Sequence, residues 1–132
     1  MANRNMGNQI KTNLATPYFI NFYWTQAAGV ALQVHNDGGT GLVTSVTRAA
    51  AGDFDVVLAD NYTQLFGVFV TVGVAGAAPE DVYGQFDIAY NMAAAGGATF
   101  TIYTKTGAVD TDPADGDIVH VLVCLSNSSL NP

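Results

Sequence analysis

Two histidines, one cysteine and a scatter of carboxylates are the side chains of this 132-residue sequence that could do chemistry, and their spacing decides which chemistry. His35 and His120 lie far apart, with no Cys or Glu at the intervals a tetrahedral metal site uses, so each reads as a strand histidine rather than a ligand. Asp110, Asp112, Asp115 and Asp117 offer hard oxygen ligands, but their order lacks the regular spacing and terminal Glu of a calcium loop; residues 110–117 read as a solvated connection. Glycoside cleavage needs two acids facing a cleft, whereas Asp53 with Asp55 and Glu80 with Asp81 read as acids flanking turns. Ser45 falls in an expected strand with no base to activate it, and no nucleophile elbow, phosphate-cradling loop or dinucleotide fingerprint occurs. Cys124 sits in the apolar run Ile118-Val-His-Val-Leu-Val-Cys-Leu125 with no second cysteine to pair with, which makes it a buried small hydrophobe. The expectation is a chain that is not an enzyme, binds no metal and carries no cofactor.

The elements that would position these residues are strands. Short β-rich runs at 18–26, 30–35, 42–48, 54–58, 66–74, 82–90, 99–105 and 117–125 are separated by turn residues such as Asn36-Asp-Gly-Gly39, Ala51-Gly-Asp53 and Gly96-Gly97. Alternation puts Phe66, Val68, Val70, Val72 and Val74 on one side of their strand and Gly67, Phe69 and Thr71 on the other. Phe86, Ile88 and Tyr90 alternate with Gln85, Asp87 and Ala89, and Phe100 and Ile102 alternate with Thr99, Thr101 and Tyr103. The aromatic cluster at Tyr18, Phe19, Phe22, Tyr23 and Trp24 splits the same way, Phe22 and Trp24 on one face and Tyr23 on the other, with one of the two sets expected to pack in the core. Residues 60–65 predict one helical turn capped by Asp60 or Asn61. The pattern predicts an all-β antiparallel β-sandwich of about eight strands, Greek-key or jelly-roll-like, over residues 17–132.

Residues 1–16 contain four Asn and one Gly and no sustained apolar period, so they are expected to form an extended N-terminal arm. Arg4 and Lys11 precede every acid, giving residues 1–36 a charge of +2. The eleven acids that follow, against Arg48 and Lys105, give the body −9. Within the arm, Ile10 and Leu14 are the apolar anchors and Arg4 and Lys11 the charge partners by which it would hold another chain.

Only 11% of the residues are charged, against about 25% in an ordinary soluble domain. Interface cores are depleted of charge, so a surface this poor in it is expected to be covered by copies of the chain or by a partner. A net charge of −7 with four basic residues argues against nucleic acid as that partner. There is no run of about 18 apolar residues to span a bilayer, and the polar start is not a signal peptide, so no membrane association or export by that route is expected.

The stretches Gly41-Leu-Val-Thr-Ser-Val-Thr-Arg48, Gly52-Asp-Phe-Asp-Val-Val-Leu-Ala-Asp-Asn-Tyr62, Ala98-Thr-Phe-Thr-Ile-Tyr-Thr104, Asp112-Pro-Ala-Asp-Gly-Asp-Ile-Val-His-Val121 and Ser126-Asn-Ser-Ser129 resemble those of small virion proteins of tailed bacteriophages, of the capsid cement or decoration type. The resemblance spans residues 40–129 and consists largely of strand and turn punctuation. It implies a structural protein, made in the host cytoplasm, that binds the outer surface of an assembled shell of major capsid protein, often as a homotrimer. The competing expectation is a receptor- or carbohydrate-binding module of a phage tail or fibre, in which exposed Tyr and Trp would stack on sugar rings.

Overall fold

Period-two alternation yields nine strands in the computed structural model, which describes residues 17–27, 32–33, 41–76 and 81–126. In chain order they are β1 (Pro17–Thr25), β2 (Leu32–Gln33), β3 (Val43–Ala50), β4 (Asp53–Leu58), β5 (Gln64–Gly73), β6 (Val82–Phe86), β7 (Thr99–Thr106), β8 (Val109–Asp110) and β9 (Ile118–Ser126). They form an antiparallel β-sandwich. Sheet A has the order β1-β9-β5, and sheet B the order β2-β3-β4-β7-β6 with β8 paired to β7. No helix occurs among the described residues.

The core fills the space between the sheets with the inward residues of each strand. Phe22 and Trp24 of β1, Phe54, Val56 and Leu58 of β4, Phe100 and Ile102 of β7, and Val119, Val121 and Val123 of β9 are all buried. Each such side chain contributes about 1.5–3 kcal/mol by leaving water. Trp24 meets Phe54 across the sheets with ring centroids 5.0 Å apart, so the aromatic pair joins the two layers. Where β6 lies against β5, Gly84 is the residue that fits, because a Cβ there would run into the Val70 side chain.

Four local expectations are corrected. The strand expected over 82–90 ends at Phe86, because the Asp87 carboxylate accepts the Ala89 N–H at 2.9 Å and turns the chain; Ile88, 85% exposed, and Tyr90 therefore do not continue the alternation. The helical turn at 60–65 is absent. Its backbone groups are taken by distant partners instead: Ala98 N–H donates to Asp60 O, Tyr62 N–H to Met92 O, and Thr63 N–H to Ser126 O. A register shift between Leu65 and Gly67 places Leu65 in the core and leaves Phe66 half-buried, where unbroken alternation would have made Phe66 the core residue. The short β8 was not expected; it folds back on the end of β7 around Gly107. The arm with Arg4, Ile10, Lys11 and Leu14, His35, Glu80 and most of the expected strand at 30–35 lie outside the described residues.

Candidate interaction surface

Each sheet has one face turned away from the core, and the two outer faces differ in kind. On sheet A the register sets Phe19, Cys124 and Gly67 in one row, Asn21, Leu122 and Phe69 in the next, and Tyr23, His120 and Thr71 in a third. These rows contain no Asp, Glu, Lys or Arg. Phe69 is 64% exposed, Phe19 56% and Leu122 38%, so apolar side chains stand open to water on this face beside the exposed Asn21, Thr71 and His120. The Phe69 ring lies beside Gly67, 3.7 Å from where a Cβ would stand. Tyr23 packs on His120 with ring centroids 5.4 Å apart. Cys124 is buried among these neighbours, and burial pushes its thiol pKa up, away from the reactive thiolate.

Sheet B turns carboxylates outward. Asp53 and Asp55 stand opposite Tyr103 and Thr101 across the β4–β7 pair, and Asp87 and Asp110 approach from either end. Thr101 Oγ1 donates to Asp55 Oδ1 at 2.8 Å, Tyr103 donates its hydroxyl proton to Asp87 Oδ2 at 2.9 Å, and Lys105 pairs with Asp110 while lying over the Tyr103 ring. The Ala89 N–H and the Tyr103 hydroxyl hold the Asp87 carboxyl below the usual range. Asp53 moves the other way. Burial raises its pKa first, the charges of Asp55, Asp110 and Asp87 add to the rise, and its Oδ1 is buried without a hydrogen-bond partner. Asp53→Asn should therefore stabilise the fold by a few tenths to about 1 kcal/mol at pH 7, with the gain fading as pH falls through the raised Asp53 pKa. Urea melts at pH 7 and pH 4 measure it, and a loss of stability at pH 7 would show that the charge is needed.

A shallow depression of about 290 Å³ lies on sheet B between Asp55, Val57, Thr99, Thr101 and Ala89. Its polar side chains Asp55 and Thr101 are already bonded to each other, and its volume is at the lower edge of small-molecule sites. Of the acids of residues 110–117, Asp110, Asp112 and Asp117 are likewise committed to protein donors, which corrects their reading as part of a solvated connection, while Asp115 is exposed. Asp112 accepts Arg48 Nε and Nη2 and the Gly52 N–H at 2.8–3.0 Å. Asp117, 1% exposed, accepts the Ala75 N–H at 2.9 Å and the Ala114 N–H at 3.0 Å. Among the described residues no three His, Cys, Asp or Glu side chains come together as a group that could hold a metal ion.

The sequence-level candidates thus part company. Of the aromatic cluster, Phe22 and Trp24 are the set that enters the core, while Phe19 and Tyr23 stand on the outer face. Sequence reasoning did not single out Phe69 and Leu122 as surface. The signal was there: both strands carry apolar residues on both sides, as strands covered on both faces do. No family model matches the chain, and neither a curated protein nor a solved structure does.

Proposed function

We propose that the chain is a structural virion protein that binds and stabilises the outer surface of a phage capsid as a cement or decoration protein, working by contact rather than catalysis. The observation that carries the reading is the outer face of sheet A, whose rows hold no Asp, Glu, Lys or Arg and expose Phe19, Phe69 and Leu122, on a molecule of net charge −7. Monomers seldom leave aromatic residues this exposed on a contiguous face, and such faces mark interaction sites. The sandwich is a stiff body, and the acids gathered on sheet B and at its ends leave sheet A free to enter a contact without desolvating charge. The resemblance of residues 40–129 to cement proteins supplies the partner, the major capsid protein, and the homotrimeric state. In this reading the arm holds neighbouring shell subunits through Ile10, Leu14, Arg4 and Lys11.

The test is attachment to emptied capsids. Full-length protein should co-sediment with them, and removal of residues 2–14 should weaken attachment by at least about tenfold while leaving the thermal melt of the sandwich in place. A double Arg4→Ala, Lys11→Ala variant should bind with a shallower dependence on salt, because fewer charge pairs are screened. Unchanged affinity of the truncated chain would remove the arm from the mechanism. Binding to a glycan array with none to capsids would replace the reading by that of a receptor-binding module.

A further inference from the structure

We infer that the outer face of sheet A is where copies of this chain meet one another, so that a second copy covers Phe19, Phe69 and Leu122. The inference rests on the reading of the chain as an assembling structural protein and names the surface that reading leaves open. Charge is the first argument. Each copy carries −7, and the outer face of sheet B gathers Asp53, Asp55, Asp87 and Asp110 against Lys105. Copies meeting there would set carboxylate against carboxylate. The rows of sheet A hold no Asp, Glu, Lys or Arg, so of the two described outer faces this is the one that lets like-charged copies approach with their acids pointing apart.

Chemistry is the second. A strongly acidic or basic partner would find no counter-charge on this face, whereas a second copy brings the aromatic and aliphatic surface that Phe19, Phe69 and Leu122 lack. The exposed Phe19, Phe69 and Leu122 side chains are of the kind that fill the space between sheets stacked about 10 Å apart. Size sets the strength. Three strands about 4.8 Å apart and nine residues long give a footprint of roughly 400 Å², about half of what one partner contributes to a standard stable interface. The contact is therefore reversible in solution and gains occupancy when copies are held side by side on a surface.

Sedimentation velocity of the full chain from about 1 to about 100 µM should show a concentration-dependent shift from monomer to oligomer. Phe69→Asp and, separately, Phe19→Asp should each raise the concentration needed for association by at least about tenfold. Both side chains are more than half exposed, so the thermal melt should confirm intact folding. Ile88→Asp, at the still more exposed Ile88 beside sheet B, should leave association unchanged. A wild-type chain that stays monomeric throughout, or an oligomer that survives both sheet A variants, overturns the assignment. The capsid co-sedimentation decides the cement reading separately: variants that lose the capsid while keeping self-association would give this face to the shell and overturn the inference alone.

Discussion

Trp24→Ala should cost about 3–5 kcal/mol of folding stability, the range for truncating a buried aromatic residue to alanine. Trp24 is fully buried, its ring lies 5.0 Å from Phe54 on the opposite sheet and 6.5 Å from Phe22 on its own, and its indole N–H donates to Gln26 Oε1 at 3.3 Å. Removing it opens a cavity between the sheets and takes a partner from Gln26, itself only 3% exposed. Against a total stability of about 5–15 kcal/mol this is a large fraction, and the melting temperature should fall by roughly 10–25 °C. Phe69→Ala, on the outer face of the same sheet, should change the stability of the free monomer by less than about 1 kcal/mol. Equal losses at the two positions in urea unfolding would mean that the faces of sheet A have been assigned the wrong way round.

Gly52→Ala should cost roughly 2–5 kcal/mol, although it adds a single methyl group. Gly52 has φ of 68°, in the left-handed region where an L side chain is strained. A Cβ there would collide with the Thr111 backbone nitrogen and the Thr104 carbonyl, neither of which can rotate away. Those backbone groups belong to one knot: Gly52 O accepts the Thr104 N–H, Thr104 O accepts the Thr111 N–H, and the Gly52 N–H donates to Asp112. Asp112 is in turn gripped by Arg48, so the β3–β4 turn and the segment entering β9 are tied at one point. Burial works against the charge on Asp112, but the Arg48 and Gly52 hydrogen bonds outweigh it and hold its pKa below the usual range. The knot's contribution is therefore present above the ordinary carboxylate pKa and lost as pH falls through the depressed one. Equilibrium unfolding at neutral pH measures the Gly52→Ala loss; a change within about 0.5 kcal/mol would show that the turn relaxes freely.

The strands were legible because their sides differ in polarity. Thr99, Thr101 and Tyr103 against Phe100 and Ile102, or Phe22 and Trp24 against Tyr23, needed nothing beyond period two. What the sequence hid was long-range pairing. Residues 60–65 have the caps and length for a helical turn, but Met92, Ala98 and Ser126 claim their backbone groups, and nothing local announces partners that far away. Asp112 and Asp117 looked like loop acids because Arg48, Gly52 and Ala75 are equally remote in the chain. The outer face of sheet A was half visible. Phe69 was placed opposite the valines of its strand, but Leu122 lies in an unbroken apolar run, and only the register with β1 and β5 shows that it joins Phe19 and Phe69 on one surface.

The order of strands in sheet A also governs when the molecule can fold during synthesis. Among the described residues β1 and β5 each find their sheet partner in β9, the last strand made. As the chain leaves the ribosome, β3, β4, β6 and β7 can pair as they appear, but the first strand must wait through the production of all the others before its partner exists. Until then two strands with apolar residues on both sides stand unpaired, the condition under which nascent chains stick to one another. Pairing Pro17 with Ser126 closes a loop over almost the whole described chain, so a polypeptide stopped short of residue 118 has half a sandwich and two open edges.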